Sequence, residues 1–394
     1  MDEPLRRVLC VVHYPIYGGP HNKTVRLRES LRRQGWDTAI AIPDEVGTAA
    51  PRLRAAGVEP ELLPLGRLRA SADPRLLLRY GRQFRPSVRA LEAAIDRTGA
   101  SVVQISGLVN PHAALAARAR GAAVVWQIVD SRAPEPLRRA AMTLVRRFAD
   151  AVMFNGEALR DLHGGNLPMP TFVYYPPVDT ELFAPSRERG LALREELGIP
   201  PDAPFVGTVS NLTPLKGIET FLEAAARIAA ERPDARFAVV GSAPESHRAY
   251  GERLHQQAAA LALQHPVVFA GDRGDVENWY AAFDVALVTS RSEGTTTTLL
   301  EAQSCAVPVV GTRVGAIAEV VDDETTGLLL EPDQPELVAK AVLRLLRDDG
   351  LRARMGAAGR DAAVARFGIE SSANAHARAY AAALEHAEAR RPGR

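Results

Sequence analysis

The stretch VALVTSRSEGTTTTLLEAQSCAVPVVGT, residues 285–312, decides the fold class. It has an apolar run at 285–290, a helical pattern around 298–305 and a second apolar run at 307–312. Two such runs joined by a helix predict a strand–helix–strand unit, and these units build parallel sheets. Four threonines stand at the start of the helix, between Glu293 and Glu301, and their chemistry has to be explained.

The same alternation of short apolar runs and longer Ala-, Leu- and Arg-rich segments continues along the chain. It predicts strands at 7–14, 37–43, 101–106, 123–129, 151–155, 204–210, 236–242, 266–271, 285–290, 307–312 and 327–331. A Pro- and Gly-rich segment at 165–200 breaks this periodicity and is interpreted as a linker. We therefore predict an α/β protein with two doubly wound, Rossmann-like domains that face each other across a cleft. The N-terminal domain covers 1–180, the C-terminal domain covers 181–365, and a helix within 366–394 returns to the N-terminal domain.

The composition is that of a globular protein, with 46% hydrophobic and 24% charged residues among 394. The sequence has neither an apolar run of about eighteen residues nor a signal-peptide pattern, so a cytoplasmic protein is predicted. Cys10 and Cys305 are the two cysteines, and each lies in an apolar stretch. They exclude a disulfide framework and are predicted to be buried free thiols.

The charge is divided unevenly along the chain. Residues 1–180 contain 25 Lys and Arg against 17 Asp and Glu, whereas residues 181–394 contain 23 against 30. A basic first half favours an anionic partner, such as a phosphorylated acceptor or an acidic lipid surface. No nucleic-acid-binding signature accompanies this charge, so no nucleic-acid partner is predicted.

Two arginine pairs in the first half allow two interpretations. Arg138 and Arg139, with Arg146 and Arg147, form either a solvated helix face or the basic side of a membrane-docking helix. The apolar side of such a docking helix would carry Leu137, Met142, Leu144 and Phe148. Peripheral contact with an anionic membrane through the N-terminal domain is therefore one of the hypotheses.

The threonine run is suited to an anion. Thr296, Thr297 and Thr298 lie near the first turn of the predicted helix, where backbone N–H groups have no helical partner and the helix dipole is positive. Threonine hydroxyls also cap helices, so capping stays open as a role for the run. The two carboxylates at Glu293 and Glu301 accept hydrogen bonds from hydroxyls, and diols supply two of them. An extended ligand with a phosphate and several hydroxyls is the expected partner.

The sequence around these two glutamates resembles that of a known family. Glu293 and Glu301 have seven residues between them, and the loop AQSCAVPVVGTRVGAIAEVV follows. GTVSNLTPLKGIETFLEA, FAVVGSAP, VVFAGDRGDVENWYAAFDVALVTSRSEG, YYPPVDTELFAP and YGGPHNKTVRLRESLRRQG stand in the matching order. Together they resemble the retaining, nucleotide-sugar-dependent glycosyltransferases of family GT4, which have the GT-B fold. The resemblance covers nearly the whole chain and is strongest over 200–345.

The resemblance implies roles for individual residues. Glu301 would hold the ribose hydroxyls of the donor nucleotide, and Glu293 a hydroxyl of the transferred sugar. The amides around Thr296 to Thr298 would meet the sugar and the diphosphate. Lys216 would neutralise the diphosphate and stabilise the charge of the leaving group.

Further roles follow from the same resemblance. Gly18 and Gly19 would let the backbone of the other domain approach the diphosphate closely. Arg273 lies in the loop that would frame the base. The sequence has no Asp-x-Asp triplet, so neither a metal nor another cofactor is expected beside the donor.

The sequence departs from the family pattern at three places. Asn211 stands where a second basic residue is common, so it and backbone amides would help to hold the diphosphate. Thr296 replaces a frequent glycine, and its side chain would narrow the choice of sugar. The family histidine of the N-terminal domain is missing, and Gln104, Ser106, Val129 and Asp130 stand in the matching region. Asp130 is the candidate that orients or deprotonates the acceptor, although an Asp there is also a preferred helix cap.

The predicted function is transfer of a hexose, with retention, from a UDP- or GDP-sugar to a carbohydrate, lipid-linked or small-molecule acceptor. A dehydrogenase would share the architecture, but the first strand is not followed by the G-x-G-x-x-G fingerprint. A nucleotide-sugar epimerase on the same fold is a second alternative. A sugar-nucleotide-binding module without turnover is a third, because of Asn211 and the missing histidine.

Overall fold

The structure is a computed structural model that describes residues 4–66, 74–108, 110–129, 135–293 and 297–390. The chain divides into two compact units: unit 1 comprises Met1–Pro177 with Ile369–Arg394, and unit 2 comprises Val178–Gly368. The chain first passes from unit 1 to unit 2 between Pro177 and Val178, inside the segment 165–200 that we interpreted as a linker. That segment also contains a strand, Thr171–Tyr174, and a helix, Arg187–Glu196. The segment therefore contains regular elements as well as the passage between the units.

In the described part of unit 1, seven parallel strands form one sheet in the order β3-β2-β1-β4-β5-β6-β7. The strands are β1 Arg6–Val12, β2 Trp36–Pro43, β3 Glu61–Leu63, β4 Val102–Ser106, β5 Ala123–Ile128, β6 Ala151–Asn155 and β7 Thr171–Tyr174. The strand order reverses between β1 and β4, where Val12 pairs with Ser106. Ligands of doubly wound sheets bind at the carboxyl ends of strands beside such a reversal.

Helices cover both faces of this sheet, which is why its central strands are apolar on both sides. They are α1 Gly19–Arg33, α2 Ala49–Ala55, α3 Pro74–Thr98, α4 Pro111–Ala119, α5 Glu135–Phe148, α6 Glu157–Leu162 and the last helix of the chain, α15 Ile369–Ala389. Leu9 and Val11 of β1 belong to the core beneath α3, α4 and α5. Val8 and Cys10 belong to the opposite core, beneath α1, α2 and α15.

The described part of unit 2 repeats the plan with six parallel strands in the order β10-β9-β8-β11-β12-β13. These are β8 Phe205–Val209, β9 Arg236–Val240, β10 Val268–Gly271, β11 Val285–Val288, β12 Val309–Thr312 and β13 Gly327–Leu330. The helices are α7 Arg187–Glu196, α8 Ile218–Glu231, α9 Arg248–Ala260, α10 Val276–Ala282, α11 Thr297–Ser304, α12 Ile317–Val320, α13 Pro335–Arg347 and α14 Asp349–Phe367. Single 3-10 turns lie at Pro214–Lys216 and Glu245–His247.

Residues 285–312 form β11, α11 and β12, and the two strands are parallel neighbours. All eleven predicted strands are present. The sequence analysis missed β3 and β7, which have three and four residues. Pro60 and Pro64 flank β3, and Pro170 and Pro176 flank β7, and prolines so close to a short run interrupt the pattern of a strand.

A buried arginine ties α7 to the sheet of unit 2. The Arg194 guanidinium donates to Asp284 Oδ2 at 2.8 Å and to the carbonyl oxygens of Ala203 at 2.8 Å and Ala282 at 2.7 Å. Asp284 Oδ2 also accepts from the Phe205 backbone N–H at 2.8 Å. The planar fork of an arginine satisfies several acceptors at once, which a lysine at this position cannot do.

A buried lysine joins three elements of unit 1. Lys23 of α1 donates to Gln127 Oε1 on β5, and the Gln127 amide lies 2.8 Å from His376 Nε2 on α15. His376 Nδ1 lies 2.7 Å from the Ser372 carbonyl oxygen, so its proton belongs on Nδ1 and its Nε2 accepts from Gln127. Burial lowers the pKa of His376 to about 3 and that of Lys23 to about 7. The chain of hydrogen bonds thus requires a neutral His376.

Candidate active site

The described residues of unit 2 form a pocket of about 300 Å³ at the carboxyl ends of its strands. The walls come from β8 and β9, the loops after β8, β10 and β11, and the first turn of α11. The strand order reverses between β8 and β11, so the pocket lies where this type of sheet binds ligands. The lining residues are Val209, Ser210, Asn211, Lys216, Val240, Gly241, Asp272, Arg273, Val276, Glu293, Thr297 and Thr298. Six predicted site residues thus lie in one pocket: Asn211, Lys216, Arg273, Glu293, Thr297 and Thr298.

Lys216 and Glu293 form an ion pair in this pocket. The Lys216 ammonium binds Glu293 Oε1, and the Ser290 hydroxyl donates to the same oxygen at 2.7 Å. The Glu293 side chain is 10% exposed and that of Lys216 is 26% exposed. The two residues that the sequence analysis assigned to the sugar and the diphosphate are therefore direct partners.

A glycine fixes the backbone beside Lys216. Gly217 has φ of +60°, a left-handed conformation that favours glycine. A Cβ at this position would lie 2.1 Å from the Thr289 carbonyl oxygen. The Thr289 hydroxyl donates to the Gly217 carbonyl oxygen at 2.9 Å, and the Arg291 N–H donates to the Leu215 carbonyl oxygen at 2.8 Å. The Lys216 turn is thus anchored to the end of β11.

Arg291 supports the same turn, and the sequence analysis did not single it out. Its guanidinium lies 2.7 Å from Asp333 Oδ1 and 3.2 Å from Glu219 Oε2, and it donates to the Pro214 carbonyl oxygen at 2.9 Å. The Tyr250 hydroxyl donates to Glu219 Oε2 at 2.8 Å. Burial and this hydrogen bond to Glu219 raise the pKa of Tyr250. The only sign of Arg291 in the sequence was its position two residues before Glu293.

Helix α11 contributes its first turn to the pocket. Thr297 is its first residue, and Thr297 and Thr298 both line the pocket. Glu301 follows Thr297 by four residues, so the two lie on the same side of the helix one turn apart. Glu301 is 8% exposed and is not among the lining residues found in the described part of the chain. Thr296 lies outside the described residues.

Arg273 lines the pocket with a carboxylate beside it. Its guanidinium makes two hydrogen bonds of 2.8 Å to Asp275, and it lies 5.8 Å from the centre of the Trp279 ring. The hydrogen bonds from Arg273 hold the pKa of Asp275 below its usual range. Asp272, a lining residue that the sequence analysis missed, adds a second carboxylate to this wall. This wall is therefore less cationic than an isolated arginine would make it.

The glycine pair of unit 1 begins helix α1. Gly18 has extended backbone as the N-cap, and α1 starts at Gly19. A Cβ at either glycine would meet no atom within 4 Å, so packing within the protein does not require glycine there. The Gly18 N–H donates to His21 Nδ1 at 3.2 Å, and His21 Nε2 lies 3.1 Å from the Tyr14 carbonyl oxygen. His21 is buried, and burial lowers its pKa.

Known proteins match both units. The model for glycosyl transferases group 1 matches residues 191–362, and the model for a glycosyl transferase 4-like domain matches residues 18–171. The chain belongs to the GT4 family of glycosyltransferases. D-inositol 3-phosphate glycosyltransferase 2 of Catenulispora acidiphila is 37% identical over 222 residues, which are 55% of this chain and 51% of that protein. The lipopolysaccharide core biosynthesis mannosyltransferase LpsB of Rhizobium meliloti is 30% identical over 239 residues, which are 60% of this chain and 66% of LpsB. The match thus spans about half to two thirds of these relatives.

Solved structures show that this GT4 chain has the GT-B fold. HepE of Anabaena, in complex with UDP, aligns with a TM-score of 0.80 and 23% identity over 95% of this chain and 99% of HepE. A glycosyltransferase from Rickettsia africae aligns with a TM-score of 0.81 and 18% identity over 97% and 99%. At these identities the likeness establishes the fold, with its two parallel-sheet, Rossmann-like domains.

The residues that were predicted to contact the acceptor are described only in part. Asp130 lies outside the described residues, so its role stays a prediction. Gln104, in the region of the missing histidine, accepts from the Tyr380 hydroxyl at 2.6 Å. His112 is buried, with Nε2 2.6 Å from His13 Nε2. Burial lowers its pKa to about 4.

The helix with the arginine pairs is α5. Its residues Met142, Leu144 and Phe148 pack into the core of unit 1. Met142 is buried, whereas Leu144 and Phe148 are half-buried against this core, so the docking hypothesis, which assigned these side chains to a membrane, stays a prediction. The four arginines keep a charged outer face. In the described part of the chain, no helix is long and apolar enough to cross a membrane.

Proposed function

We propose that this GT4 chain transfers a hexose, with retention and without a divalent metal, from a nucleoside diphosphate sugar to an acceptor. The donor is a UDP- or GDP-sugar, and the acceptor is a carbohydrate, lipid-linked or small molecule. The reaction takes place in the cytoplasm. The single observation that carries the proposal is the Lys216–Glu293 pair in the pocket beside the first turn of α11.

The pocket has the chemistry that a sugar diphosphate requires. Lys216 supplies a compact ammonium on a flexible stem for the diphosphate. The first turn of α11 supplies backbone N–H groups at the positive end of the helix dipole. Glu293 accepts a hydrogen bond from a hydroxyl of the sugar. Glu301, one turn after Thr297 in α11, accepts hydrogen bonds from the hydroxyls of the ribose.

The proposed reaction forms one bond and breaks one. The acceptor oxygen bonds to the anomeric carbon on the face from which the diphosphate departs, and the bond from that carbon to the phosphate oxygen breaks. The acceptor hydroxyl gives its proton to the departing phosphate oxygen. Lys216 and the α11 amides stabilise the negative charge that grows on the diphosphate. Asp130 orients the acceptor hydroxyl.

The relatives support this direction. One relative is named a mannosyltransferase and others D-inositol 3-phosphate glycosyltransferases, so sugar transfer is the activity that recurs among them. HepE has been crystallised with UDP and with UDP-glucose. Gly18 and Gly19 would approach the diphosphate from unit 1. The charged outer face of α5 would hold an anionic acceptor, or an anionic membrane that carries it, by charge alone.

Donor binding tests the proposal first. A sugar nucleotide that binds the folded state raises its melting temperature, so a panel of UDP-, GDP- and ADP-sugars should reveal the donor. Lys216→Gln should remove the protection, whereas Lys340→Gln, an exposed lysine of α13, should keep it. If no member of the panel shifts the wild-type melting temperature, the proposal is wrong.

Turnover then separates transfer from its alternatives. Release of nucleoside diphosphate from the bound donor should be abolished in Glu293→Gln and unchanged in Glu245→Gln, an exposed glutamate in the Glu245–His247 turn. A wild-type chain that binds the donor but never releases the diphosphate is a binding module, and one that returns an epimerised sugar nucleotide is an epimerase. Asp130→Asn should slow transfer, and full turnover in that variant would make Asp130 structural.

A further inference from the structure

We propose that Ser290 is the positioning residue of Glu293, and that it keeps the carboxylate in place when a donor diphosphate takes Lys216. This inference rests on the proposed function. Its basis is that the Ser290 hydroxyl and the Lys216 ammonium bind the same oxygen, Oε1 of Glu293. Among the described residues, no hydrogen-bond donor to Glu293 Oε2 is found. In the proposal, Oε2 is therefore the oxygen that accepts a hydrogen bond from a sugar hydroxyl.

Donor binding changes the partner of Lys216. A diphosphate carries more negative charge than one carboxylate, and the flexible stem of a lysine lets its ammonium turn from one to the other. Glu293 would then lose its cation while its side chain is 90% shielded from solvent. A shielded carboxylate without a hydrogen-bond donor is unfavourable and would rotate toward water or another donor. Ser290 is the donor that remains on Oε1.

Ser290 is itself held firmly. It is 2% exposed and follows β11 by two residues. Its carbonyl oxygen accepts from the Thr312 hydroxyl of β12 at 2.5 Å. The backbone of Ser290 is thus attached to the neighbouring strand. Its hydroxyl is uncharged, so the charge of the diphosphate does not draw it away from Glu293. This arrangement divides the work: Lys216 responds to the donor, and Ser290 keeps Glu293 aimed.

The division predicts a specific kinetic signature for Ser290→Ala. We expect kcat to fall about 10- to 100-fold, because a hydrogen bond to a charged group is lost in the donor complex. The affinity for the nucleoside diphosphate should stay within about twofold, since Lys216 still binds it. The melting temperature without nucleotide should change little, because Lys216 still holds Glu293 in that state. Ser290→Thr, which keeps the hydroxyl, should recover most of kcat.

The experiment measures kcat and KM of the full chain with the donor from the thermal panel, and binding of UDP and GDP by calorimetry. Ser304→Ala is the matched control, because Ser304 is also buried and donates to the Phe183 carbonyl oxygen at 2.6 Å, outside the pocket lining. It should keep the wild-type kcat. The inference is overturned if Ser290→Ala keeps the wild-type kcat. It is also overturned if the variant loses nucleotide affinity by the same factor as kcat. A wild-type chain that binds no nucleotide overturns the proposed function instead.

Discussion

Replacing Gly217 by alanine tests how the pocket is built. The new Cβ would lie 2.1 Å from the Thr289 carbonyl oxygen, and an L-residue at φ of +60° is strained in addition. The left-handed conformation costs about 1–2 kcal/mol. Relief of the overlap moves the turn and breaks the 2.9 Å bond from the Thr289 hydroxyl, at about 1 kcal/mol more. We therefore expect Gly217→Ala to lower the free energy of unfolding by about 2–3 kcal/mol.

Gly198→Ala separates the two contributions. Gly198 has φ of +67° in the same unit, but a Cβ there would meet no atom within 4 Å. This variant should lose only the conformational part, about 1–2 kcal/mol. Urea titrations followed by circular dichroism measure both variants. Nucleotide affinity should fall in Gly217→Ala alone, because the displaced turn carries Lys216. Equal costs in the two variants, or unchanged nucleotide binding in Gly217→Ala, would refute this reasoning.

Three further predictions concern buried groups. Burial lowers the pKa of Lys23 from 10.5 to about 7, so between these pH values the unfolded chain binds more protons than the folded chain, and stability should rise with pH. Urea titrations at pH 7 and 9.5 should show this rise in the wild type and a smaller rise in Lys23→Met. An equal rise in both proteins would contradict the prediction. Arg194→Lys should lower the free energy of unfolding by about 2–4 kcal/mol, since a lysine leaves buried acceptors unpaired, whereas exposed Arg248→Lys should cost almost nothing. Burial raises the pKa of Cys10 to about 11 and of Cys305 to about 12, so neither thiol should react with a disulfide reagent at pH 8 until urea is added, and rapid reaction of the native chain would show that one is exposed.

Much of the fold was predictable because its signals are local. The apolar runs that contain β1 and β11 stand out from the sequence around them, and such runs alternate regularly with helical segments. The strand β7 was not predictable, because its four residues lie in a Pro-rich segment and pair only with β6. The apolar side of α5 was visible in the sequence, but an amphipathic pattern does not say whether a sheet or a membrane covers it.

The candidate site was predictable in its residue types but not in its contacts. Lys216 and Glu293 were each found from motifs, yet the sequence analysis assigned them to separate parts of a ligand. Lys216 and Glu293 are 77 residues apart in the sequence. They pair because Lys216 follows β8 and Glu293 follows β11, and these two strands are neighbours in the sheet. Ser290 and Arg291 carry no motif signal of their own.

The sequence by itself determined the alternation of strands and helices, the place of the threonine-rich helix start and the glutamates around it, since these depend on periodicity and residue chemistry over a few turns of chain. Only the tertiary structure decided that one oxygen of Glu293 receives both Lys216 and Ser290, and that Gly217 must be a glycine. The physical reason is that hydrogen bonds and steric overlap depend on distances of a few ångströms between atoms. Those distances are set by the packing of strands and turns that are remote along the chain.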